Sequence, residues 1–210
     1  AITGSCGKTT VKNMCRAIFA GAGSTVATAG NYNNEIGVPL TLARIGDDTR
    51  YAIVEMGATG RGDVAHLCDL AAPTVATVLN AMEAHLAGFG SVADVADIKA
   101  EILDGLGSGG VAVLALDSPW AELWRRRIEA GGARSVTWSR DSGADADVNA
   151  LVRREHGAAG TDITLRIRGD ARELRLPLPG RHNVANALAA AALAAAAGLS
   201  IDVIAEGLAQ

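Results

Sequence analysis

The chain contains little cysteine and little positive charge. Its 210 residues include three cysteines, Cys6, Cys15 and Cys68, which are scattered and odd in number. That pattern argues against a disulfide framework and favours a protein of the reducing cytoplasm. Because the formal net charge is −4, the chain lacks the basic surface that a nucleic-acid partner requires, and we interpret Arg125–Arg127 as a solvated helix face.

Long hydrophobic runs are missing as well. The closest candidate, Ala187–Ala197, is so rich in alanine that it indicates a packed helix and not a membrane span. With 49% hydrophobic residues the chain can still bury a full core. It opens within an apolar strand and closes just after a helix, so we expect residues 1–210 to be one domain of a longer protein. We expect a monomer that contacts no membrane.

What the chain does contain is a glycine-rich loop at its beginning, in the segment Ala1-Ile-Thr-Gly-Ser-Cys-Gly-Lys-Thr-Thr10. Gly4 and Gly7 allow backbone N–H groups to wrap phosphate oxygens at the positive end of the following helix. Lys8 would reach the β- and γ-phosphates, and the Thr9 hydroxyl would bind Mg²⁺. The sequence therefore predicts a nucleotide site here.

The surroundings of the loop favour this interpretation. Ile2 stands where the usual pattern has its first glycine, which by itself leaves open an ordinary strand-to-helix turn with a surface lysine. Directly after the loop, however, apolar residues recur at helical spacing and Gly21 supplies a stop. They are Val11, Met14, Cys15, Ile18 and Phe19. A phosphate loop needs such a helix if the helix N-terminus is to hold an anion.

Strands and helices alternate along the first two thirds of the chain. The predicted strands are Ser24–Thr28, Tyr51–Glu55, Thr74–Leu79, Gly110–Leu116 and Ser135–Trp138. Helical patterns between them include Val95–Leu106 and Pro119–Ala130. Nearly continuous apolar strands are typical of a buried parallel sheet, so the alternation predicts a doubly wound α/β sheet with ligands at the carboxyl ends of its strands.

The pattern changes in the last third of the chain. Between Asp147 and Leu178 the apolar residues recur with a period of two, and turn signals fall at Gly157–Gly160 and Gly169-Asp170. This predicts a small antiparallel β-meander beside the mostly parallel sheet. Two helices complete the chain, Asn183–Ala197 and Ile201–Leu208.

Three titratable residues fall where this topology would place a site. Glu55 ends an otherwise apolar strand, the position of the acidic Mg²⁺ ligand in phosphate-loop enzymes, and a solvent-facing glutamate is the alternative. His85 lies six residues past another strand end, where a metal ligand and a structural histidine are equally compatible with the sequence. Lys99 lies on the apolar stripe of Val95–Leu106, where a lysine either snorkels to solvent or has an altered pKa or a covalent modification.

Two pairs of asparagines complete the candidates. Asn33 and Asn34 belong to a loop that follows a strand, and such a cluster suits recognition of amides and carboxylates, although asparagine is also a common turn former. Asn183 and Asn186 lie near the start of the alanine-rich helix, one turn apart. Both could meet the edge of a base, and Asn183 could instead be a simple N-cap.

Together these segments resemble the ATP-dependent Mur ligase family of bacterial cell-wall synthesis, which also includes the folylpolyglutamate synthetases. The short loop Gly4-Ser-Cys-Gly-Lys-Thr-Thr10 has the family's form. The segments Thr28–Leu42, Val54–Ala58, Asn80–Ser91 and Leu178–Ala187 resemble the member that adds D-alanyl-D-alanine to a UDP-linked tripeptide. The resemblance covers nearly the whole chain as the family's central ATP-binding domain, and it implies that the N-terminal UDP-binding and C-terminal domains lie outside residues 1–210.

The resemblance implies an ADP-forming peptide ligase of peptidoglycan synthesis that uses ATP and two Mg²⁺ ions. Thr9 and Glu55 would ligate one Mg²⁺. His85 and a carbamylated Lys99 would ligate the second, since partial burial favours the neutral amine that carbamylation needs. The catalytic residues implied are Lys8, His85 and Lys99.

The resemblance also assigns the binding residues. Those implied for ATP are Gly4, Ser5, Cys6, Gly7, Lys8, Thr9, Thr10, Asn183 and Asn186, with His182 nearby. Asn33 and Asn34 would border the peptide end of the UDP-linked substrate.

Three alternatives stay open: another amino acid ligase of the same family, a non-catalytic ATP-binding module, and a small-molecule kinase with a phosphate loop. The asparagine-rich loop favours the D-alanyl-D-alanine ligase over other members. The presence of Lys8, Glu55 and His85 argues against a non-catalytic module. In a small-molecule kinase, His85 and Lys99 would have no assigned role.

Overall fold

The computed structural model describes residues 1–83 and 90–210. The strands are β1 (Ile2–Thr3), β2 (Thr25–Ala27), β3 (Tyr51–Ile53), β4 (Val75–Val78), β5 (Val111–Ala115), β6 (Arg134–Ser139), β7 (Val148–Glu155), β8 (Thr161–Ile167) and β9 (Asp170–Leu176). The helices are α1 (Lys8–Ala20), α2 (Gly37–Leu42), α3 (Asp63–Ala71), α4 (Val92–Lys99), α5 (Glu101–Asp104), α6 (Ala121–Gly131), α7 (Arg181–Ala196) and α8 (Ile201–Leu208). A short 3₁₀ helix, Gly157–Ala159, connects β7 to β8.

The order of the strands places β1 at a switch point. Seven strands are hydrogen-bonded in the order β1-β4-β5-β6-β7-β8-β9, and β2 and β3 form a parallel pair. The segment after β3 lies against the other side of β1, because the Ile2 N–H donates to Val54 O over 2.9 Å and the Met56 N–H donates to Ile2 O over 2.8 Å. The chain therefore leaves β1 toward one side and returns on the other side at β4. A ligand crevice forms at the carboxyl ends of the strands at such a point.

The pairing confirms the predicted fold class. The strand pairs from β1–β4 to β6–β7 are parallel, and β7–β8 and β8–β9 are antiparallel. The tight turn between β8 and β9 places Arg168 and Gly169 at positive φ, +48° and +99°. The meander predicted between Asp147 and Leu178 is thus an antiparallel extension of the parallel sheet.

Two apolar clusters cover the two faces of the sheet. Residues of α1, α7 and α8 form the first, and residues of α3 to α6 form the second. The alanine-rich α7 is buried from Ala187 through Ala195, which confirms that this stretch is a packed helix. Within residues 1–83 and 90–210, no helix combines the length and apolarity that crossing a membrane requires.

The helix that carries Lys99 differs from its prediction at both ends. It begins three residues earlier than Val95, because Ser91 and Asp94 form a capping box in which Ser91 Oγ accepts from the Asp94 N–H over 3.2 Å and Asp94 Oδ2 accepts from the Ser91 N–H over 2.9 Å. It also divides at Ala100 into α4 and α5. The apolar pattern recorded the buried stripe but contained no signal for the cap or for the interruption.

The predicted solvated face at Arg125–Arg127 is only partly correct. The first two arginines form exposed ion pairs with Glu122 on the same helix. Arg127 instead reaches across to Asp97 at 2.7 Å and Asp104 at 2.8 Å. It ties α6 to α4 and α5, so the prediction is wrong for this residue.

Candidate nucleotide and metal site

The glycine-rich loop joins β1 to α1 at the switch point and is braced by Asn80. The N–H groups of Ser5 and Cys6 each donate to Asn80 Oδ1 over 3.0 Å, and Asn80 Nδ2 donates to Cys6 O over 3.1 Å. Asn80 was not among the predicted site residues. Its signal was a polar residue soon after an apolar strand, but only the pairing of β4 with β1 shows which loop it serves.

Gly7 ends this loop against α7. Its φ is +81°, in the left-handed region, and a Cβ at this position would lie 2.7 Å from Asn186 Oδ1. Asn186 Nδ2 donates to Asn183 Oδ1 over 3.2 Å, and Asn183 Nδ2 donates to Pro179 O over 2.7 Å. The fold therefore brings Asn186 and Asn183, predicted as ATP-binding residues, to the end of the phosphate loop.

Gly7→Ala is expected to weaken ADP binding by about tenfold or more, because the left-handed conformation costs an alanine about 1–2 kcal/mol and the new Cβ displaces Asn186. Titration calorimetry with ADP measures the change. Gly131→Ala in α6 is the matched control, since nothing lies within 4 Å of a Cβ there. Unchanged ADP affinity in Gly7→Ala would contradict the assignment of this loop.

Lys8 and Lys99 line one cavity of about 450 Å³ beside the phosphate loop. Lys8 Nζ donates to Gly4 O over 2.8 Å. Lys99 is the last residue of α4 and only 5% exposed, which confirms its predicted position on the buried stripe. Burial, with a smaller contribution from the charge of Lys8, lowers the pKa of Lys99 to about 8. Two lysines at one cavity suit an anionic ligand.

Other residues give the same cavity a mixed lining. Asn33 and Asn34 lie along it together with Lys8, and their role toward a substrate stays a prediction. Asp63 and His66 of α3 also line it and were not among the candidates. The cavity therefore combines cationic, amide and acidic groups, which suits a peptide-like ligand better than a purely apolar one.

Glu55 is buried next to Thr9, so the alternative of a solvent-facing glutamate is wrong. The side chain is 1% exposed. Thr9 Oγ1 donates to Glu55 Oε2 over 3.1 Å, and Asn33 Nδ2 donates to Oε1 over 2.8 Å. Lys12 Nζ lies 3.5 Å from Oε2. Carboxylate and hydroxyl oxygens are ligands that Mg²⁺ prefers, so this pair fits the predicted metal.

Lys12 is a residue of this site that the sequence analysis missed. Its signal was spacing: it lies one helical turn after Lys8 and therefore on the same side of α1. The predicted ligand His85 lies outside the described residues. Among the residues that are described, no three His, Cys, Asp or Glu side chains form a metal-binding group. Mg²⁺ commonly takes only one or two carboxylates and completes its coordination with water and substrate phosphates.

Comparison with known proteins agrees with this geometry. Residues 2–194 match the model of the Mur ligase middle domain. Over 210 residues the chain is 44% identical to the UDP-N-acetylmuramoyl-tripeptide--D-alanyl-D-alanine ligase of Escherichia coli, covering all of this chain and 46% of that protein. The enzyme of the same name from Mycobacterium tuberculosis is 39% identical over 207 residues, with 99% of this chain and 40% of that protein covered. The chain thus spans less than half the length of these relatives.

Solved structures give the same result for the fold. MurF from Acinetobacter baumannii superimposes with a TM-score of 0.92 at 32% identity, covering all of this chain and 45% of that one. MurF from Thermotoga maritima in complex with ADP superimposes with a TM-score of 0.82 at 24% identity, covering all of this chain and 47% of that one.

Proposed function

Because the chain belongs to the Mur ligase family, we propose that it is the ATP-binding part of an enzyme that joins D-alanyl-D-alanine to a UDP-N-acetylmuramoyl-tripeptide. One observation of geometry carries the proposal. The phosphate loop and the cavity lined by Asn33 and Asn34 share Lys8, so a triphosphate end and a substrate carboxylate would meet at its ammonium group. The names of the relatives supply the acceptor, D-alanyl-D-alanine.

The first step would be transfer of the γ-phosphoryl group. An oxygen of the peptide carboxylate forms a bond to the γ-phosphorus while the bond to the bridging β–γ oxygen breaks, which gives an acyl-phosphate and ADP. Both reactants are anions, so their approach is the main electrostatic difficulty. The Lys8 ammonium group would offset that repulsion, and the backbone N–H groups at the start of α1 would hold the phosphates in line.

The second step would form the amide bond. The amino group of D-alanyl-D-alanine attacks the acyl carbon, phosphate leaves, and the amine loses a proton.

Two Mg²⁺ ions would be held at this site. Thr9 and Glu55 would hold one Mg²⁺, and Lys99 as a carbamate would hold a second together with His85. When bound, Mg²⁺ neutralises phosphate charge and raises the electrophilicity of phosphorus. A carbamate forms when the neutral Lys99 amine attacks CO₂ and releases a proton, and the lowered pKa of Lys99 supports this modification.

The remaining parts of the proposal concern the whole enzyme. Since the relatives are more than twice as long as this chain, we place the uridine-nucleotide and acceptor sites largely in domains outside residues 1–210. The three cysteines are free thiols, which supports a reducing cytoplasm. The monomeric state stays a prediction.

The test is a comparison of acceptors with the enzyme expressed from its complete gene. We expect ATP-dependent phosphate release with a UDP-linked tripeptide and D-alanyl-D-alanine, and none with D-alanine, glutamate or a diamino acid in its place. Residues 1–210 alone should give no ligation. Release with a single amino acid would identify a different ligase of the family. Absence of phosphate release with every acceptor would favour a non-catalytic nucleotide-binding module.

A further inference from the structure

Lys12 is a buried lysine for which the reaction proposed above has no task. It lies on α1, is 2% exposed, and its Nζ donates to Gly30 O over 2.6 Å. The same Nζ is 3.5 Å from Glu55 Oε2. Lysine is almost never buried without a partner, since the loss of hydration must be offset. Here the partners are one carbonyl of the asparagine-rich loop and the carboxylate beside Thr9.

The carboxylate is held from a second direction by the same loop. Asn33 Nδ2 donates to Glu55 Oε1 over 2.8 Å. Asn33 is fixed in turn, because its carbonyl oxygen accepts from the Gly57 N–H over 2.7 Å. Gly57 also has no room for a side chain, since a Cβ there would lie 2.7 Å from Asn33 Oδ1. Oε2 of Glu55 thus lies near Lys12, Oε1 accepts from Asn33, and Thr9 Oγ1 lies within 3.4 Å of both oxygens.

These contacts form a closed ring of interactions that links the phosphate site to the cavity. Lys12 binds the loop at Gly30, the loop reaches the cavity at Asn33 and Asn34, and Asn33 returns to Glu55. Gly30 itself has a φ of +50°, a turn conformation that an unanchored loop would leave easily. Lys12 therefore contacts both the carboxylate and the loop that contributes Asn33 and Asn34 to the cavity.

We propose that Lys12 is a positioning residue that aims Glu55 at the Thr9 hydroxyl and couples the metal site to the peptide cavity through the asparagine-rich loop. This rests on the proposed function, in which Thr9 and Glu55 hold Mg²⁺. Partners that orient a metal ligand through hydrogen bonds contribute to metal affinity although they do not touch the metal. Lys12 would be such a partner for two sites at once.

For replacement of Lys12, a positioning role and a purely electrostatic role predict opposite changes in Mg²⁺ affinity. A cation beside a metal ligand repels the metal, so removal of charge alone would tighten Mg²⁺ binding. Removal of a positioning contact weakens it. The sign of the change in Mg²⁺ affinity therefore separates the two roles.

The experiment uses Lys12→Met in the enzyme expressed from its complete gene, with Arg16→Met as the control. Arg16 is exposed one turn further along α1, so both variants lose one charge from the same helix. We expect Lys12→Met to weaken Mg²⁺ binding to the ADP complex about tenfold by calorimetry, with ADP affinity in EDTA changed less than about twofold. The KM for the UDP-linked tripeptide should rise in parallel. Arg16→Met should change none of these quantities.

A second variant decides the question if Lys12→Met does not fold. Lys12→Arg keeps the charge but alters the shape and reach of the donor. Weakened Mg²⁺ binding in Lys12→Arg supports positioning, and wild-type Mg²⁺ affinity overturns it. Tighter Mg²⁺ binding in Lys12→Met, or a lower Tm with unchanged Mg²⁺ affinity and KM, also overturns it. Because the calorimetry needs no acceptor, it stays informative if the ligation assay fails.

Discussion

Lys8→Ala is expected to lower kcat/KM for ATP by about a thousandfold. The Lys8 ammonium lies inside the phosphate loop, 2.8 Å from Gly4 O, and on the wall of the neighbouring cavity. In the proposed reaction it would therefore interact with the leaving ADP and with the attacking carboxylate during the same step. Phosphate release at saturating tripeptide and acceptor measures the loss.

Lys8→Arg and Arg16→Ala are the controls for this measurement. Arginine keeps the charge but carries it on a planar group that does not fit the same loop, so we expect only partial activity. Arg16 is exposed on the same helix, and its loss should leave activity unchanged. A decrease of less than about tenfold in Lys8→Ala would argue that the transferred phosphoryl group does not lie at this lysine.

Lys99→Ala is expected to lower ligation by two to three orders of magnitude, as loss of a metal-holding group does, with partial recovery in acetate or formate. The alanine leaves room for a short carboxylic acid where the proposed carbamate would lie. Lys99→Met is the matched control, because it keeps most of the buried stem and leaves no such space. Loss without recovery, together with a lower Tm, would instead indicate that Lys99 serves packing.

The proposed carbamate on Lys99 should depend on pH. The pKa of Lys99 is lowered to about 8 by burial, so the ammonium form dominates below that pH and the neutral amine above it. Only the neutral amine takes up CO₂. At constant dissolved CO₂, the carbamylated fraction should therefore rise between about pH 7 and pH 9, as measured by incorporation of labelled CO₂. No incorporation across this range would contradict the proposed carbamate.

Local sequence signals were sufficient to predict the elements that a short segment determines by itself. The loop, α1 and the burial of Lys99 follow from glycine spacing and from apolar periodicity, which are properties of neighbouring residues. The change to a period of two likewise indicated the antiparallel meander. The fold class follows from this alternation alone.

Contacts between distant segments could not be read in this way. Asn80 lies 74 residues from Cys6 in the chain, and its role depends on the pairing of β4 with β1. Asn33 was predicted to border the substrate, and it does line the cavity, but its amide also holds Glu55. Lys12 looks like a surface lysine until the loop around Gly30 is placed over it. The roles of these residues toward ligands stay predictions.

The hydrogen bonds between Asn80 and the glycine-rich loop affect the conformational entropy that the loop loses on binding a nucleotide. Since one side-chain oxygen already accepts from two successive N–H groups, the loop loses its conformational entropy when the sheet forms and not when a nucleotide arrives. The order of the loop thus depends on the pairing of Thr3 with Val78, two buried residues. A substitution that weakens this strand pair should therefore lower nucleotide affinity before it unfolds the domain.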